Sequence, residues 1–422
     1  IVAIGAVHND GNGSNSGHVR VYQYASSTWS QLGSDIDGEL AGDESGVAVS
    51  LSSDGFTLAI GARWNDGNGI YTGHVRVYQY ASSTWSQLGS DIDGEASSDF
   101  SGCSVSLSGD GTTVAIGSTH NDNNTYTDAG HVRVYQYASS AWSKLGNDID
   151  GLSSYESAGF SVALSDDGTI VAVGAPDSHG GNGSYSGGVR VYQYASSTWS
   201  QIGSDIDGET SSNWSGCSVS LSGDGTTVAI GSTHNDNNTY TDAGHVRVYQ
   251  YASSAWSKLG NDIDGLSSYE SAGFSVALSD DGTIVAVGAP DSHGGNGSYS
   301  GGVRVYQYAS STWSQLGSDI DGEAASDKEG YSVSLSSDGT IVAIGAVHND
   351  GNGSNSGQVR VYQYANSTWS QLGSDIDGEA ANDKSGFSVA LSDDGTIVSI
   401  GTPYNGGNGS NSGHVRVYAI QL

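Results

Sequence analysis

The sequence predicts an all-β fold, a β-propeller of four-stranded antiparallel blades, from three observations. An arginine within a V-R-V-Y run recurs every 56 or 57 residues, so one supersecondary unit is repeated along residues 1–422 as a single domain. Each unit holds four short β-type runs, each closed by a turn signal. The chain has 64 glycines and no helical periodicity, which argues against helices.

The first two runs of a unit are illustrated by residues 160–175. Run a (160–164) alternates apolar and polar residues and ends at Asp167-Gly168, a tight-hairpin signal. Run b (170–175) is almost continuously apolar, as expected for a strand covered on both faces. These two runs therefore predict an antiparallel hairpin.

A polar loop and two further runs complete the unit. The loop (177–187) is rich in Asn, Gly and Ser and has no periodicity. Run c (189–194) alternates, and the short run d (198–202) leads through S-D-I-D-G to the next unit. Four such strands followed by a linker are the plan of a propeller blade.

The number of blades follows from the number of runs. Runs a and d occur seven times, whereas runs b and c occur eight times, because the sequence opens in run b and ends just after run c. Runs b and c form the middle of a blade and need partners on both edges, so we predict eight blades. The alternative is seven blades and a half-blade, borrowed by a neighbouring molecule or left from a longer repetitive protein.

Composition excludes several classes of function. The chain carries 46 acidic and 13 basic residues, a formal charge of -33, which repels nucleic acid and anionic membrane surfaces. No apolar run is long enough to insert into a membrane. Residues 103–201 recur unchanged as 217–315. A single asymmetric active site is hard to reconcile with that duplication, so we predict a protein that is not an enzyme.

Two segments carry a family resemblance, Gly159-Phe160-Ser161-Val162-Ala163 and Val173-Gly174-Ala175-Pro176. They resemble the FG-GAP repeat of the integrin α-subunit N-terminal propeller and its relatives in secreted bacterial and algal proteins. The resemblance implies a propeller with an extracellular role at a cell surface or in a matrix. Integrin-like members carry a calcium loop between runs a and b, but that link is shortened here to residues such as 166–168, so the family's calcium site is not transferred.

One arginine per unit alternates with valines in run c, where neighbouring blades cover both faces of the sheet. A buried guanidinium needs a carboxylate, and the D-I-D-G turns supply acids in nearly the right number. We predict structural ion pairs for eight arginines: Arg20, Arg76, Arg133, Arg190, Arg247, Arg304, Arg360 and Arg416.

The acidic clusters after run d have a second interpretation as Ca²⁺ ligands, since calcium takes six to eight oxygen atoms. The chain otherwise gives no indication of a cofactor. The candidate ligands are Asp35, Asp37, Glu39, Asp43, Asp91, Asp93, Glu95, Asp99, Asp319, Asp321, Glu323 and Asp327.

Asn-x-Ser/Thr sequences recur in the loop between runs b and c. They are N-glycosylation acceptors in a secreted protein or ordinary turn residues. The candidate glycosylation sites are Asn12, Asn123, Asn182, Asn213, Asn237, Asn296, Asn352, Asn366 and Asn408.

Two further residue types recur at fixed positions. A tryptophan on each run d covers the rim between blades or, alternatively, forms a platform for sugar rings; these are Trp29, Trp85, Trp142, Trp199, Trp256, Trp313 and Trp369. Histidines such as His74 and His131 precede V-R, and we expect them to be solvated residues at strand ends.

We therefore predict a non-enzymatic, extracellular structural or adhesion module. Its partners are proteins or glycans at the cell surface or in a matrix, and its incomplete terminal blades would allow self-assembly. One alternative is a multivalent, lectin-like carbohydrate-binding propeller. Another is a hydrolase or lyase on the propeller scaffold, which would require one blade whose loops break the repeat.

Overall fold

The computed structural model describes residues 2–6, 18–25, 28–31, 36–37, 39, 43–400 and 417–419, apart from positions 181, 238, 295, 379–380 and 383. Within these residues every regular element is a β-strand, as the sequence predicts.

The strands follow the repeat closely, with a short fifth strand in most units. The first twelve are β1 (Val2–Ala6), β2 (His18–Ala25), β3 (Thr28–Gln31), β4 (Ile36–Asp37), β5 (Ala48–Leu51), β6 (Thr57–Ala62), β7 (His74–Ala81), β8 (Thr84–Gln87), β9 (Ile92–Asp93), β10 (Ser101–Leu107), β11 (Thr113–Ser118) and β12 (His131–Ala138). The next twelve are β13 (Ala141–Lys144), β14 (Ile149–Asp150), β15 (Ser161–Leu164), β16 (Ile170–Ala175), β17 (Gly188–Ala195), β18 (Thr198–Gln201), β19 (Ile206–Asp207), β20 (Ser215–Leu221), β21 (Thr227–Ser232), β22 (His245–Ala252), β23 (Ala255–Lys258) and β24 (Ile263–Asp264). The remainder are β25 (Ser275–Leu278), β26 (Ile284–Gly288), β27 (Gly302–Ala309), β28 (Thr312–Gln315), β29 (Ile320–Asp321), β30 (Glu329–Leu335), β31 (Ile341–Ala346), β32 (Gln358–Ala365), β33 (Thr368–Gln371), β34 (Ile376–Asp377), β35 (Val389–Leu391), β36 (Ile397–Ile400) and β37 (Val417–Ala419).

Six units form complete blades. In each, runs a, b, c and d pair antiparallel in sequence order, and the fifth strand, the Ile-Asp of the D-I-D-G turn, pairs with run c beside run d. The complete blades are β5–β9, β10–β14, β15–β19, β20–β24, β25–β29 and β30–β34. The blades are therefore antiparallel meanders, with one more short strand than the sequence predicts.

The prediction of eight blades is wrong. Besides the six complete blades, the described residues form two incomplete sheets: β1–β4 contains no run a there, and β35–β37 contains neither run d nor a fifth strand. The prediction treated the b–c pair as the unit that defines a blade, whereas the strands around the axis are those of run a. Seven of these, β5, β10, β15, β20, β25, β30 and β35, lie side by side, and β35 also contacts β5.

The hairpins between runs a and b join the blades around the axis. The amide of Ser53 donates to the carbonyl of Gly109 at 2.9 Å, and Gly109 donates to Asp166 at 2.9 Å. The same bond repeats along the chain from Asp166 to Gly223, Asp280, Ser337 and Asp393. One end of the axis is thus held by a series of backbone hydrogen bonds between successive blades.

The two glycines of the G-F and G-A-P segments meet across neighbouring blades. A Cβ atom on Gly174 would lie 2.2 Å from the carbonyl oxygen of Gly216, which precedes run a of the next blade. Gly117 stands in the same relation to Gly159, at 2.0 Å. Glycine is required here because the backbones of adjacent blades approach too closely for any side chain.

The apolar core lies between blades. Val132 and Val134 of one blade pack with Val171 and Val173 of the next, and Trp199 covers the outer end of the same cluster. Run b is buried along its whole length in blades such as β15–β19, as its continuous apolar sequence predicts. Each blade therefore depends on its neighbours to bury its faces.

Candidate binding face

The two faces of the propeller are formed by different connections. The b–c loops and the d–a links, which follow the fifth strand, lie at one end of the blades, and we call this the loop face. A loop of one blade pairs with the following link, as in the bridge between Gly130 and Ala158. The a–b and c–d hairpins form the opposite surface, the hairpin face.

Exposed large hydrophobic side chains are concentrated on the loop face. Among the described residues fourteen are exposed, and thirteen of them belong to the loops, the links or the first position of run a. These are Ile70, Tyr71, Tyr126, Leu152, Tyr155, Phe160, Tyr185, Trp214, Tyr240, Leu266, Tyr269, Phe274 and Tyr299. Of the fourteen in the described part of the chain, Phe56 alone is on the hairpin face. Clustered apolar exposure of this kind marks interaction surfaces.

A funnel opens at the axis on the loop face. Its volume is about 590 Å³, within the range of small-ligand sites. The walls are Val47, Arg63, Trp64, Phe100, Cys103, Thr119, His120, Ser157, Phe160, Asp177 and Phe387. Several of these occupy the first position of run a, so the funnel is built from equivalent residues of successive blades.

Aromatic rings around the funnel contact one another. Trp64 lies 4.8 Å from Tyr71 and 5.0 Å from Phe100, and Phe100 lies 4.8 Å from His120, all in edge-on geometry. Further round the axis, Tyr331 bridges two phenylalanines. Such ring pairs stabilise each other and present broad apolar surfaces at low entropic cost.

Five tryptophans of run d make the same contact between blades, whereas the side chain of Trp29 lies outside the described residues. The indole Nε1 of Trp199 donates to the carbonyl of Leu145 in the preceding blade at 2.7 Å. Four further tryptophans make the equivalent bond at 2.5 to 2.9 Å: Trp142, Trp256, Trp313 and Trp369. Trp199 is buried. These five side chains join neighbouring blades, as the rim interpretation predicts.

Every described arginine side chain of run c lies against a carboxylate of the preceding repeat. In the first kind of link, the glutamate directly after D-I-D-G reaches the arginine of the next blade, as Glu95 reaches Arg133 and Glu209 reaches Arg247. Glu39 lies 3.8 Å from Arg76, and Glu323 lies 3.6 Å from Arg360. We call these Glu links.

The second kind of link has leucine at that position. Leu152 and Leu266 replace the glutamate, and a glutamate four residues later, Glu156 or Glu270, pairs with the arginine instead. We call these Leu links. The side chain of Glu156 is 1% exposed, whereas that of Glu95 is 49% exposed. The ion pairs of the Leu links are therefore more buried than that of Glu95. Arg360, which follows the Glu link of Glu323, nevertheless also pairs at 2.9 Å with the fully buried Glu329.

The other predicted acidic ligands contact protein groups according to their place in the link. The first aspartate of D-I-D, Asp319, pairs with Arg304 at 2.9 Å, and its equivalent Asp91 accepts from Gln87 at 2.6 Å. The second, represented by Asp93 and Asp321, lies in the fifth strand.

The last predicted acid of each cluster binds loop and link groups. Asp99 accepts the amide of Ala96 at 2.8 Å, and Asp327 that of Ala324 at 2.9 Å. Asp43 accepts from Asn65 at 2.9 Å. Asp35 and the side chains of Asp37, Arg20 and Arg416 lie outside the described residues. Calcium binding by these acids stays a prediction.

The histidines before V-R are buried, contrary to expectation. His74, His131 and His245 are at most 2% exposed, because the neighbouring link covers them. Burial, together with nearby Arg76, lowers the pKa of His74 to about 3, and burial lowers that of His245 to about 4. Both imidazoles are therefore neutral.

Two of these histidines lie with carboxylates in groups whose ligand atoms are within 4.8 Å of one another: Glu39, His74 and Asp91, and Glu209, His245 and Asp262. In the second group Arg247 already pairs with both acids.

The loop asparagines have a structural contact. Nδ2 of Asn182, the atom to which a glycan would be attached, donates to the carbonyl of Gly208 at 2.8 Å. Asn123, Asn237, Asn296 and Asn352 make the equivalent bond at 2.9 or 3.0 Å. Asn213 is buried and Asn366 is exposed, whereas Asn12 and Asn408 lie outside the described residues. Glycosylation stays a prediction.

The a–b hairpins are closed by their aspartates. Oδ1 of Asp167 accepts from Ser165 Oγ, the Thr169 amide and Thr169 Oγ at 2.8 to 2.9 Å. Burial alone would raise the pKa of Asp167, but these hydrogen bonds outweigh it and leave the pKa below its usual value. The Asp-Gly pairs thus form turns, as the shortened link predicts.

Three aspartates approach the axis on the hairpin face. Burial, followed by repulsion from Asp280 and Asp393, raises the pKa of Asp166 to about 6. The pKa of Asp393 is also raised, first by burial and also by Asp280. Serine or glycine occupies the equivalent position in other described blades, as at Ser53 and Gly109.

Two equivalent pockets follow the Leu links. In the blades that these links precede, Gly188 and Gly302 replace the buried histidine, and pockets of about 290 and 260 Å³ lie beside them. The first is lined by Glu156, Arg190 and Asp207, among others. The sequence signal for these pockets is the coupled replacement of His by Gly and Glu by Leu.

No helix in the described part of the chain is long and apolar enough to cross a membrane. The chain matches no curated protein sequence.

Solved structures with the same fold include hydrazine synthase from Kuenenia stuttgartiensis, with a TM-score of 0.56, 13% identity and coverage of 89% of this chain and 96% of that chain. A putative 6-phosphogluconolactonase from Bacteroides uniformis has a TM-score of 0.57 and 11% identity, with coverage of 90% of this chain and 98% of that chain. At these identities the similarity shows the fold alone. The sequence pattern of the FG-GAP repeat matches residues 320–362. This match to one repeat unit, together with the propeller architecture, supports an FG-GAP-like β-propeller.

Proposed function

We propose that this propeller is a non-enzymatic binding module that acts outside the cell, in a matrix or at a cell surface. It contacts a protein or glycan partner through its loop face. The observation that carries the proposal is the concentration of exposed large hydrophobic side chains there, thirteen of fourteen among the described residues.

Repetition favours binding over catalysis. Residues 103–201 and 217–315 are identical, so equivalent loops present the same groups at separate places on one rigid disk. Several weak contacts made together give much higher avidity than one contact alone. A matrix or cell-surface role fits this multivalent geometry and the FG-GAP-like repeat.

The test compares the two faces. Beads coated with the protein are passed over surfaces that carry defined matrix proteins or polysaccharides, and their retention under flow is measured. We expect the triple variant Tyr71→Ser, Tyr155→Ser and Tyr269→Ser to lose at least about tenfold in retention, because each aromatic contact contributes about 1 kcal/mol or more.

Phe56→Ser, which removes the large hydrophobic group that the described residues expose on the hairpin face, is the matched control and should retain wild-type adhesion. The proposal fails if wild-type beads are retained on no surface, or if Phe56→Ser and the triple variant lose retention equally.

A glycan partner is favoured by the pockets at Gly188 and Gly302, whose carboxylates, arginine and serine hydroxyls suit sugar hydroxyl groups. The double variant Gly188→His and Gly302→His places in both pockets the residue that blades such as β20–β24 carry. Glycan-array binding should be lost in this variant, and unchanged binding would exclude these pockets as sugar sites.

A further inference from the structure

Two copies of one loop provide an internal comparison. Residues 174–188 and 288–302 have the same sequence and the same internal contacts. Ser157 donates to Asp177 at 2.9 Å, and Ser271 donates to Asp291 at 2.9 Å. In both copies the loop histidine and tyrosine rings lie 4.8 Å apart. The two loops therefore present equivalent side chains to the link that follows each of them.

The link residue that faces the loop differs between the two copies. After the second loop it is Lys328, whose ammonium pairs with the carboxylate of Asp291 and lies 4.9 Å from the centre of the Tyr299 ring. Carboxylate on one side and aromatic face on the other are the groups that hold an ammonium. The Lys328 side chain is only 25% exposed, so this is a partly desolvated site.

After the first loop the same position is Trp214. The backbone amide of Trp214 donates to the carbonyl of Tyr185 at 3.3 Å, and that of Lys328 donates to the carbonyl of Tyr299 at the same distance. The backbones of the two links are therefore arranged alike. The indole, however, packs against His234 at 4.8 Å, away from Tyr185. Among the described residues no lysine is therefore placed on the carboxylate of Asp177, and Asp177 lines the axial funnel.

We propose that Asp177 and Tyr185 form a binding site for a primary ammonium group, the lysine side chain of a protein partner that docks on the loop face. This names the partner chemistry for the face proposed above and rests on that proposal. Lys328 on Asp291 and Tyr299 is the template for the bound group. A chain of formal charge -33 also attracts a lysine-bearing partner over longer distances.

The chain supplies its own matched variants. Trp214→Lys copies the second link and places an ammonium on Asp177, whereas Lys328→Trp copies the first link and frees Asp291. Asp177→Asn removes the carboxylate, and Asp291→Asn changes the site that Lys328 already fills. Thermal unfolding of each variant checks that the propeller remains folded.

The probe is the capped peptide acetyl-Gly-Lys-Gly-amide, titrated with acetyl-Gly-Gln-Gly-amide as control, and binding is followed by NMR of the protein. We expect one lysine-specific site in the wild type, two in Lys328→Trp, and at least about tenfold weaker binding in Trp214→Lys and in Asp177→Asn. Asp291→Asn should bind as the wild type does.

Absence of lysine-specific binding to the wild type, or unchanged binding in folded Trp214→Lys or Asp177→Asn, would overturn the inference. That result is distinguishable from failure of the proposed function. Bead retention that survives in Asp177→Asn but is lost in the tyrosine triple variant would keep the loop face as the binding surface while excluding the ammonium site.

Discussion

The Glu links and the Leu links pair the arginine of the next blade with a carboxylate in two different ways. In a Glu link, Asp99 accepts link amides while Glu95 pairs with the arginine of the next blade. In a Leu link, Glu156 alone accepts the amide of Leu152 at 2.9 Å and pairs with Arg190. One glutamate thus makes both kinds of contact that two carboxylates, four residues apart, make in a Glu link. The first of the two positions can then be leucine, and a pocket lies beside the link.

The largest expected effect concerns the close glycine contact between adjacent blades, which both kinds of blade share. Gly174→Ala would put a Cβ atom 2.2 Å from the Gly216 carbonyl oxygen, so the blades must separate, and we expect a loss of at least about 3 kcal/mol in urea unfolding. Glycine occupies the position of Gly188 only in the two units that follow a Leu link. A Cβ atom added to Gly188 would meet nothing closer than 3.4 Å. Gly188→Ala should therefore change stability by less than about 0.5 kcal/mol, and similar losses in both variants would contradict the blade contact.

The next effect separates the two links. Glu156→Gln leaves Arg190 without its buried partner and should cost about 3 kcal/mol. Glu95→Gln removes a carboxylate that is 49% exposed and should cost less than about 1 kcal/mol. Urea unfolding followed by tryptophan fluorescence measures both. Equal costs would show that the difference in burial has no energetic consequence.

A rescue experiment tests whether the two arrangements are interchangeable. Leu152→Glu combined with Glu156→Asp rewrites a Leu link as a Glu link. We expect this double variant to be within about 1 kcal/mol of the wild type, since glutamate at the first position reaches the arginine in Glu links such as that of Glu95. Stability no better than that of Glu156→Gln would show that neighbouring residues, not the carboxylate position, decide the pairing.

The smallest effect is a pH dependence on the hairpin face. Asp166 has a pKa of about 6 in the folded protein, above the usual value, so the folded state binds its proton more tightly than the unfolded state does. Its contribution to stability is therefore lost as pH rises from about 4 to 6. Asp166→Ser should raise stability at pH 8 by about 1 kcal/mol, a modest value because solvent screens the partly exposed carboxylate, and should change it little at pH 4.

Asp167→Ser is the control of opposite sign. The pKa of Asp167 is lowered by the hairpin hydrogen bonds, so its stabilisation is present at pH 8 and is lost as pH falls below about 4. Urea midpoints at the two pH values measure both variants. A gain in stability from Asp167→Ser at pH 8 would contradict the hairpin geometry.

Much of the fold could be predicted because strand signals are local. The 57-residue period, the alternation of run c and the Asp-Gly turns correctly predict the strands and their antiparallel order. The number of blades could not be predicted from the b–c pairs, since closure depends on which strand lies at the axis. The short strand at Ile206 was missed because two residues carry no periodicity.

The site was harder to predict because it is assembled between repeats. Glu156 reaches Arg190 of the next blade, a contact that no spacing within one unit indicates. The burial of His74 depends in the same way on a neighbouring link. The one available signal was that leucine replaces glutamate and glutamate replaces aspartate in the same link. This signal becomes informative only when the links and the arginines are known to be adjacent.

The most direct test of the central claim, that the loop face is the binding face, is oxidative footprinting of the propeller while it is bound to the surface that retains it. We expect Tyr71, Tyr155 and Tyr269 to be protected at least about threefold relative to the free protein, while Phe56 on the hairpin face is oxidised at its free rate. Protection of Phe56 with unchanged oxidation of the three tyrosines would contradict the claim.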